Sequence, residues 1–289
     1  MITSVTPTPS SSKKKPPLKP FLKWAGAKTR VFDRIKASYG SYVPQRLVEP
    51  FLGSGATALN LNLTSNLLAD TNQHLVDVFT YLQKEQNAFI KDCAALFTAK
   101  NNTSEKYYAL REEFNKTKDA RRRATIFIYL NRHGFNGLCR YNSSGGFNVP
   151  FGKYAAPYFP ADEMRQFATF LQSATVVQSD FRKVLPLTGA GDFVYCDPPY
   201  VALGATGFTA YATGGFSDAD QRELARLAEE AAARGALVAI SNHDTAGIRK
   251  IYRDHGAKIC GFLVARTISC DGKNRNKAKE IIAVFGGAA

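Results

Sequence analysis

The stretch Arg46-Leu47-Val48-Glu49-Pro50-Phe51-Leu52-Gly53-Ser54-Gly55 restricts this chain more than any other. Four residues that read as a strand run into a turn with glycines at 53 and 55, and a helical stretch follows over residues 56–63. Strand, glycine turn and helix in that order open a βαβ unit, which commits the chain to an α/β fold. The two glycines permit a tight turn and the close approach of a ligand to the helix N-terminus. Residues 67–70 supply the second strand. Asp70 at its end either meets ribose hydroxyls or caps the next helix. Ala58 completes Gly-x-Gly-x-x-Ala, so a dinucleotide oxidoreductase also matches at this point.

A later apolar run, Phe193-Val194-Tyr195-Cys196, follows the turn signal Gly191-Asp192 and reads as a buried strand. Asp197-Pro198-Pro199-Tyr200 therefore sits at a carboxyl end, where ligands bind in an open α/β sheet. Two prolines hold the chain extended and leave no N–H at Pro199 to compete for the Pro198 carbonyl. A carboxylate, a carbonyl and a ring then project together. They suit a flat group bearing an NH2, with Asp197 and the Pro198 carbonyl each accepting one N–H and Tyr200 stacking on the ring. The exocyclic amine of a nucleobase fits; an ordinary Pro-Pro turn is the plain alternative.

Charge narrows the partner. With 38 basic and 24 acidic side chains the formal charge is +14, which points to nucleic acid first and an acidic membrane surface second. No apolar run reaches the roughly 18 residues of a membrane span, so no membrane partner is expected. Five cysteines without a Cys-x-x-Cys pair and four scattered histidines lead us to expect no metal, no disulfide framework and a reducing cytoplasm. Residues 1–20 are Thr, Ser, Pro and Lys with little to bury, and read as a disordered basic tail. Lys13-Lys14-Lys15 there either adds sequence-independent attraction to DNA or is merely solvated.

More than a hundred residues separate Asp70 from Phe193, far beyond the ~30 of a βαβ unit, so a segment is inserted. Its first part has helical spacing, with Leu75, Val76, Phe79 and Leu82 and later Tyr107, Leu110 and Phe114. Arg121-Arg122-Arg123 opens a helix over 124–130 and faces either phosphates or solvent. Residues 131–154 are dense in Gly, Asn, Arg and aromatics, and Ser143-Ser144-Gly145-Gly146 reads as a hairpin tip. Arginine there suits guanine, asparagine suits adenine or phosphate, and an aromatic can wedge between bases.

Elsewhere, Trp24 between Lys23 and Lys28 offers a ring face with two cations, or serves as a core anchor, and Lys28 suits a carboxylate-bearing ligand. Asp180-Phe181 follows a strand-like 175–177, either at an adenine or as a helix N-cap. Residues 201–215 read as a mobile loop closing over the site. Ser217 to Asp220 forms a capping box, with a helix running to Arg234 and stopped by Gly235. Residues 236–240 form a further strand; His243 beyond it is a structural strand end more than a general base. Residues 258–266 and 280–285 look like an antiparallel pair, joined by a basic loop over 271–279 suited to phosphates.

Phe21-Leu22-Lys23-Trp24-Ala25-Gly26-Ala27-Lys28, Val48-Glu49-Pro50-Phe51-Leu52-Gly53-Ser54-Gly55 and Asp197-Pro198-Pro199-Tyr200 together resemble the Dam-type, D12 class DNA adenine-N6 methyltransferases. The resemblance covers about residues 20–285, with Ala27 where glycine is more usual. It implies an α/β fold with a Rossmann-like methyltransferase sheet over 21–72 and 161–289, and a mainly helical target-recognition insert with a β-hairpin over 73–160. It implies S-adenosylmethionine as cofactor, held by Trp24, Lys28, Gly53, Gly55, Asp70, Asp180, Phe181 and Asp197, with Asp197, Pro198 and Tyr200 catalytic. The implied partner is double-stranded DNA, met by a monomer at GATC.

On the same resemblance Phe135 fills the space left by a flipped adenine and Asn136 holds the local backbone. Leu138 and Arg140 read the outer base pairs, Pro150 meets a thymine methyl and Tyr154 a phosphate. Lys23, Arg132 and Asn142 also lie at the DNA. The amine attacks the sulfonium methyl directly, with Asp197 acting as an acceptor that needs no raised pKa. Cys196 points to the opposite face of the strand and offers no covalent route. Two rivals stay open: an amino-methyltransferase of the same fold acting on RNA or protein glutamine, and a DNA-binding protein without activity.

Overall fold

Seven strands form one sheet in the order β3-β2-β1-β4-β5-β7-β6. They are β1 (Arg46–Glu49), β2 (Asn66–Asp70), β3 (Ala174–Gln178), β4 (Asp192–Cys196), β5 (Leu237–His243), β6 (Lys258–Ala265) and β7 (Lys277–Phe285). The computed structural model describes residues 16–24, 26, 28, 31–200, 216–265 and 277–287. The tail over 1–15, the loop over 201–215 and most of the basic loop, 271–276, lie outside the described residues.

The first five strands pair in parallel, and β7 lies antiparallel between β5 and β6. The closing antiparallel pair is as expected; its insertion beside β5 rests on pairing that no local signal encodes. Central strands β4 and β5 are buried along their whole length, which explains the apolar runs over 193–196 and 237–240. The strand order turns back between β1 and β4, so the crevice at their carboxyl ends is a topological switch point. Val48 pairs with Val194, and this register brings Glu49 and the start of the Asp197 turn to the same edge.

Alternation along the strands sends side chains to two apolar layers. Leu47, Leu68, Phe193, Tyr195 and Leu237 face one; Val48, Ala69, Val194, Cys196 and Val238 face the other. The first layer is covered by α1 (Phe32–Ala37), α2 (Ala56–Leu61), α3 (Gln73–Glu85), α4 (Asn87–Ala94), α5 (Ser104–Lys116), α6 (Ala120–His133) and α7 (Ala161–Phe170). The second is covered by α8 (Phe181–Val184), α9 (Asp218–Ala233) and α10 (Ala246–Asp254). Phe79, Phe114 and Phe127 of the inserted helices join the same apolar cluster as Phe193 and Tyr195, so insert and sheet share a core.

Local rules account for most of the helix ends. Asn72 caps α3 by accepting from His74 and Leu75 N–H, and the Ser217–Asp220 capping box starts α9. Asp119 caps α6 by accepting from Arg122 N–H, so this helix begins four residues before the expected start at 124. The arginine run therefore lies in its first turn. Arg121 pairs with Glu85 and Asp92 at 2.7 Å, Arg122 with Glu113 at 2.6 Å and Arg123 with Asp77 at 3.3 Å. This corrects both readings of the run: the three cations tie α6 to α3, α4 and α5.

Candidate active site

A cavity of about 660 Å3 opens at the carboxyl ends of β1 and β4. It is lined by Trp24, Lys28, Glu49, Phe51, Gly53, Asp70, Asp180, Phe181, Asp197, Pro198 and Tyr200, among others. The structure thus brings together every residue expected at the cofactor or the catalytic turn except Gly55. That glycine lies behind the wall, as the N-cap of α2 with φ +67°, and a Cβ on it would stand 2.7 Å from the Phe167 ring. Gly53, at φ +49°, does face the cavity, and a Cβ there would meet Trp24 Nε1 at 2.8 Å. Trp24 fills both of its expected roles, packing on the core and lining the cavity.

Asp70 does not cap a helix; Asn72 does. Its carboxylate instead accepts from Gly53 N–H at 3.0 Å and Asn72 N–H at 2.9 Å, holding the glycine turn against β2. Asp180 caps α8 through Arg182 N–H at 2.9 Å and also lines the cavity. Phe181 stacks on Phe51 at 5.5 Å, and Phe216 meets both rings. These three aromatics make one wall of the cavity.

At the catalytic turn, Lys28 Nζ lies 3.1 Å from Asp197 Oδ1, 3.9 Å from Glu280 Oε2 and 4.4 Å from the centroid of the Tyr200 ring. The Lys28–Asp197 contact is an ion pair at a carboxylate oxygen with little access to water. Asp197 keeps 22 % of its side chain exposed. Burial raises its pKa, while Lys28 opposes the rise. The cause of the rise is removal from water at a strand end in the crevice.

Glu49, Phe51, Phe216 and Lys28 as the partner of Asp197 are what sequence reasoning missed. Glu49 is buried, its Oε2 has no hydrogen-bond partner, and burial followed by the charge of Asp197 pushes its pKa well above the carboxylate range. An acidic residue ending a strand just before the glycine turn was a readable signal; its adjacency to Asp197 was not. His243, at the end of β5, packs edge-on against the Tyr200 ring at 4.6 Å, as a strand end beside the site.

Beside the cavity, residues 131–154 fold back on themselves through single bridges, Gly134 to Phe151 and Tyr141 to Phe147, rather than as the regular β-hairpin expected. Asn142 closes the tip by accepting from Ser144 and Gly146 N–H, which occupies the side chain expected to reach DNA. Phe135 is 46 % exposed, and Asn136 next to it holds φ +53° with its N–H donated to Tyr154 Oη at 2.9 Å. Arg140 is exposed and donates to Asn148 at 2.8 Å, and Pro150 is exposed as well. Leu138 is half-buried against the core.

Lys23 sits over the Tyr154 ring at 4.3 Å, and its backbone is clasped at both N–H and C=O by the buried Asn131 side chain. Arg132 corrects the expectation most plainly. It is 9 % exposed, donates to the Phe21 carbonyl and lies over the Tyr158 ring, so it supports the chain from within.

Among the described residues no cluster of three His, Cys, Asp or Glu side chains is arranged to hold a metal ion. Among them also, no helix is long and apolar enough to cross a membrane.

Residues 24–265 match the family model of the D12 class N6 adenine-specific DNA methyltransferases. The chain is 45 % identical over 283 residues to the DNA adenine methylase of Haemophilus influenzae, covering 96 % of this chain and 98 % of that one. It is 44 % identical to the DNA adenine methylase of Vibrio cholerae, over 92 % of this chain and 95 % of the relative. It is 42 % identical to that of Escherichia coli K12, over 92 % and 94 %. Among solved structures, the delta-N METTL16 MTase domain is similar at 10 % identity with a TM-score of 0.39, covering 89 % of this chain and 80 % of that one. A match spanning most of the sequence, and relatives of this identity over nearly their whole length, agree with the geometry of the crevice: the chain belongs to the D12 class N6 adenine-specific DNA methyltransferases.

Proposed function

We propose that this enzyme methylates adenine N6 within GATC in double-stranded DNA, after turning the adenine out of the helix into the crevice beside Asp197. The observation that carries the reading is a cavity ending in Asp197, Pro198 and Tyr200, tied through Asp70, Asn72 and Tyr141 to the loop that presents an exposed Arg140. Membership of the family implies S-adenosylmethionine, and the cavity suits it, since a bare Gly53, the carboxylates of Asp70 and Glu49 and the aromatic wall meet its several chemical parts. Asp70 would take ribose hydroxyls, and Asp180 with Phe181 the adenine ring. Lys28 would reach the carboxylate only by leaving Asp197. The bound cofactor would supply a methyl group on a positively charged sulfur.

The target amine is a poor nucleophile because its lone pair is delocalised into the ring. Asp197 and the Pro198 carbonyl accept its two N–H groups and bias the nitrogen toward a tetrahedral form. These hydrogen bonds strengthen as positive charge develops on nitrogen, so they stabilise the transition state more than the ground state. Tyr200 stacks on the extruded ring. Extrusion is needed because the reacting atom is out of reach inside the stack. Arg140, steadied by Asn148, reads a guanine in the major groove, and Phe135 fills the vacated space. Residues 73–160 act as the recognition part and the sheet as the catalytic part.

The test is methyl transfer from labelled S-adenosylmethionine to two duplexes differing only in one GATC, repeated with Asp197→Ala. Transfer confined to the GATC duplex and lost in the variant is expected. Equal transfer to both duplexes would remove the specificity reading, and transfer to neither would redirect the search to RNA or protein.

A further inference from the structure

We propose that the hydroxyl of Tyr141 is a positioning group that couples cofactor binding at Asp70 to the placement of the base-reading loop around Arg140. The inference rests on the DNA-methylation reading and adds to it a line of communication. Asp70 accepts from Gly53 N–H in the cavity wall and from Asn72 N–H on its other oxygen. Asn72 in turn donates its side-chain amide to Tyr141 Oη at 3.4 Å, while its Oδ1 caps α3. Tyr141 Oη stands 2.9 Å from His74 Nδ1, two residues further along the same helix start.

Tyr141 therefore gathers two groups of the α3 start on a single oxygen. A hydroxyl can accept from Asn72 and donate to an unprotonated imidazole at once. Burial lowers the pKa of His74, which favours that neutral ring. On the other side Tyr141 belongs to the loop itself: it bridges Phe147, and its neighbour Arg140 accepts at its carbonyl from Asn148 N–H at 3.0 Å. The same Asn148 holds the Arg140 guanidinium. Three hydrogen bonds, Gly53 to Asp70, Asn72 to Asp70 and Asn72 to Tyr141, thus lead from the cavity wall to the chain neighbour of the residue that reads a base.

A ligand hydroxyl arriving at Asp70 takes lone-pair capacity now given to Gly53 and Asn72. The pull on Asn72 changes, and with it the seat of Tyr141. By linkage, DNA that fixes the loop must then alter cofactor affinity by the same factor.

The experiment is calorimetric titration of S-adenosylhomocysteine into the full chain, with and without a GATC duplex, for the wild type, Tyr141→Phe and Asn72→Ser. Phenylalanine keeps the packing against His74 and Phe147 and removes only the hydroxyl. Serine keeps a capping oxygen for α3 and removes the amide. In the wild type the duplex should change the affinity by roughly fivefold or more, the lower end of typical coupling. In both variants that ratio should fall close to one, with affinity in the absence of DNA kept within about twofold of the wild type. A wild-type ratio of one overturns the proposal, as does either variant keeping the wild-type ratio. Failure of the wild type to bind the duplex at all would instead overturn the DNA reading, and the coupling with it.

Discussion

Lys28 Nζ lies 3.1 Å from Asp197 Oδ1, so the acceptor of the catalytic turn is electrostatically balanced by a lysine 169 positions earlier in the chain. Burial alone would keep this carboxyl protonated to higher pH, and Lys28 works against that. The ion pair favours the ionised form of Asp197 against that burial.

The first expected outcome concerns pH. In the proposed role Asp197 acts as a carboxylate, so kcat/KM for methylation should fall on the acid side, at a pH above the usual aspartate value because burial raises this group. In Lys28→Met the opposing charge is gone, and the acid limb should move to still higher pH. The check is the pH profile of kcat/KM for the cofactor in both proteins, which reports the free enzyme in which Lys28 faces Asp197; an unmoved limb would refute the role of the pair.

A second follows from Glu49, whose pKa is raised by burial and by the charge of Asp197. A raised carboxyl binds its proton more tightly in the folded state. The associated stability is complete below the unfolded pKa of about 4.3 and is lost as pH rises through the folded value. Glu49→Gln cannot ionise and escapes that loss. Its melting temperature should exceed the wild type's by about 2–4 °C at pH 7.5, with the gap closing at pH 4, measured by calorimetry without cofactor.

Arg140 and Arg122 should behave oppositely. Arg140→Ala should cost about 1–3 kcal/mol of discrimination at one base pair of the site, read from methylation of duplexes altered there. Arg122 is committed to Glu113 within the protein. Arg122→Gln should leave the salt dependence of DNA binding unchanged and lower stability by less than about 1 kcal/mol.

Two glycines at positive φ separate conformation from space. Gly145 has φ +78° and nothing within 4 Å of an added Cβ, so Gly145→Ala should cost about 1–2 kcal/mol from the left-handed backbone alone. Gly55 adds a 2.7 Å clash with the buried Phe167 ring. Gly55→Ala should therefore lose clearly more stability in denaturant unfolding than Gly145→Ala.

What was legible in the sequence was whatever depends on neighbours along the chain. The glycine turn after β1, the buried run of β4, the capping box at Ser217 and the stop at Gly235 are each dictated by a few adjacent residues. Because Asp197 ends a strand, its place at the crevice followed as well, and the aromatic and glycine content of residues 131–154 marked the loop beside it.

The rest depended on what the fold brings near. Arg132 reads like the other cations of its segment, yet the Phe21 backbone carbonyl, more than a hundred residues away in sequence, claims its guanidinium. The acids that claim Arg121, Arg122 and Arg123 come from three other helices. Glu49 meets Asp197 only because β1 pairs with β4 in one particular register. Turns, caps and strand periods arise from local sterics and hydrogen bonds that the sequence alone determines; burial and charge pairing at these sites were decided by the tertiary structure, because they depend on through-space distances that chain order does not contain.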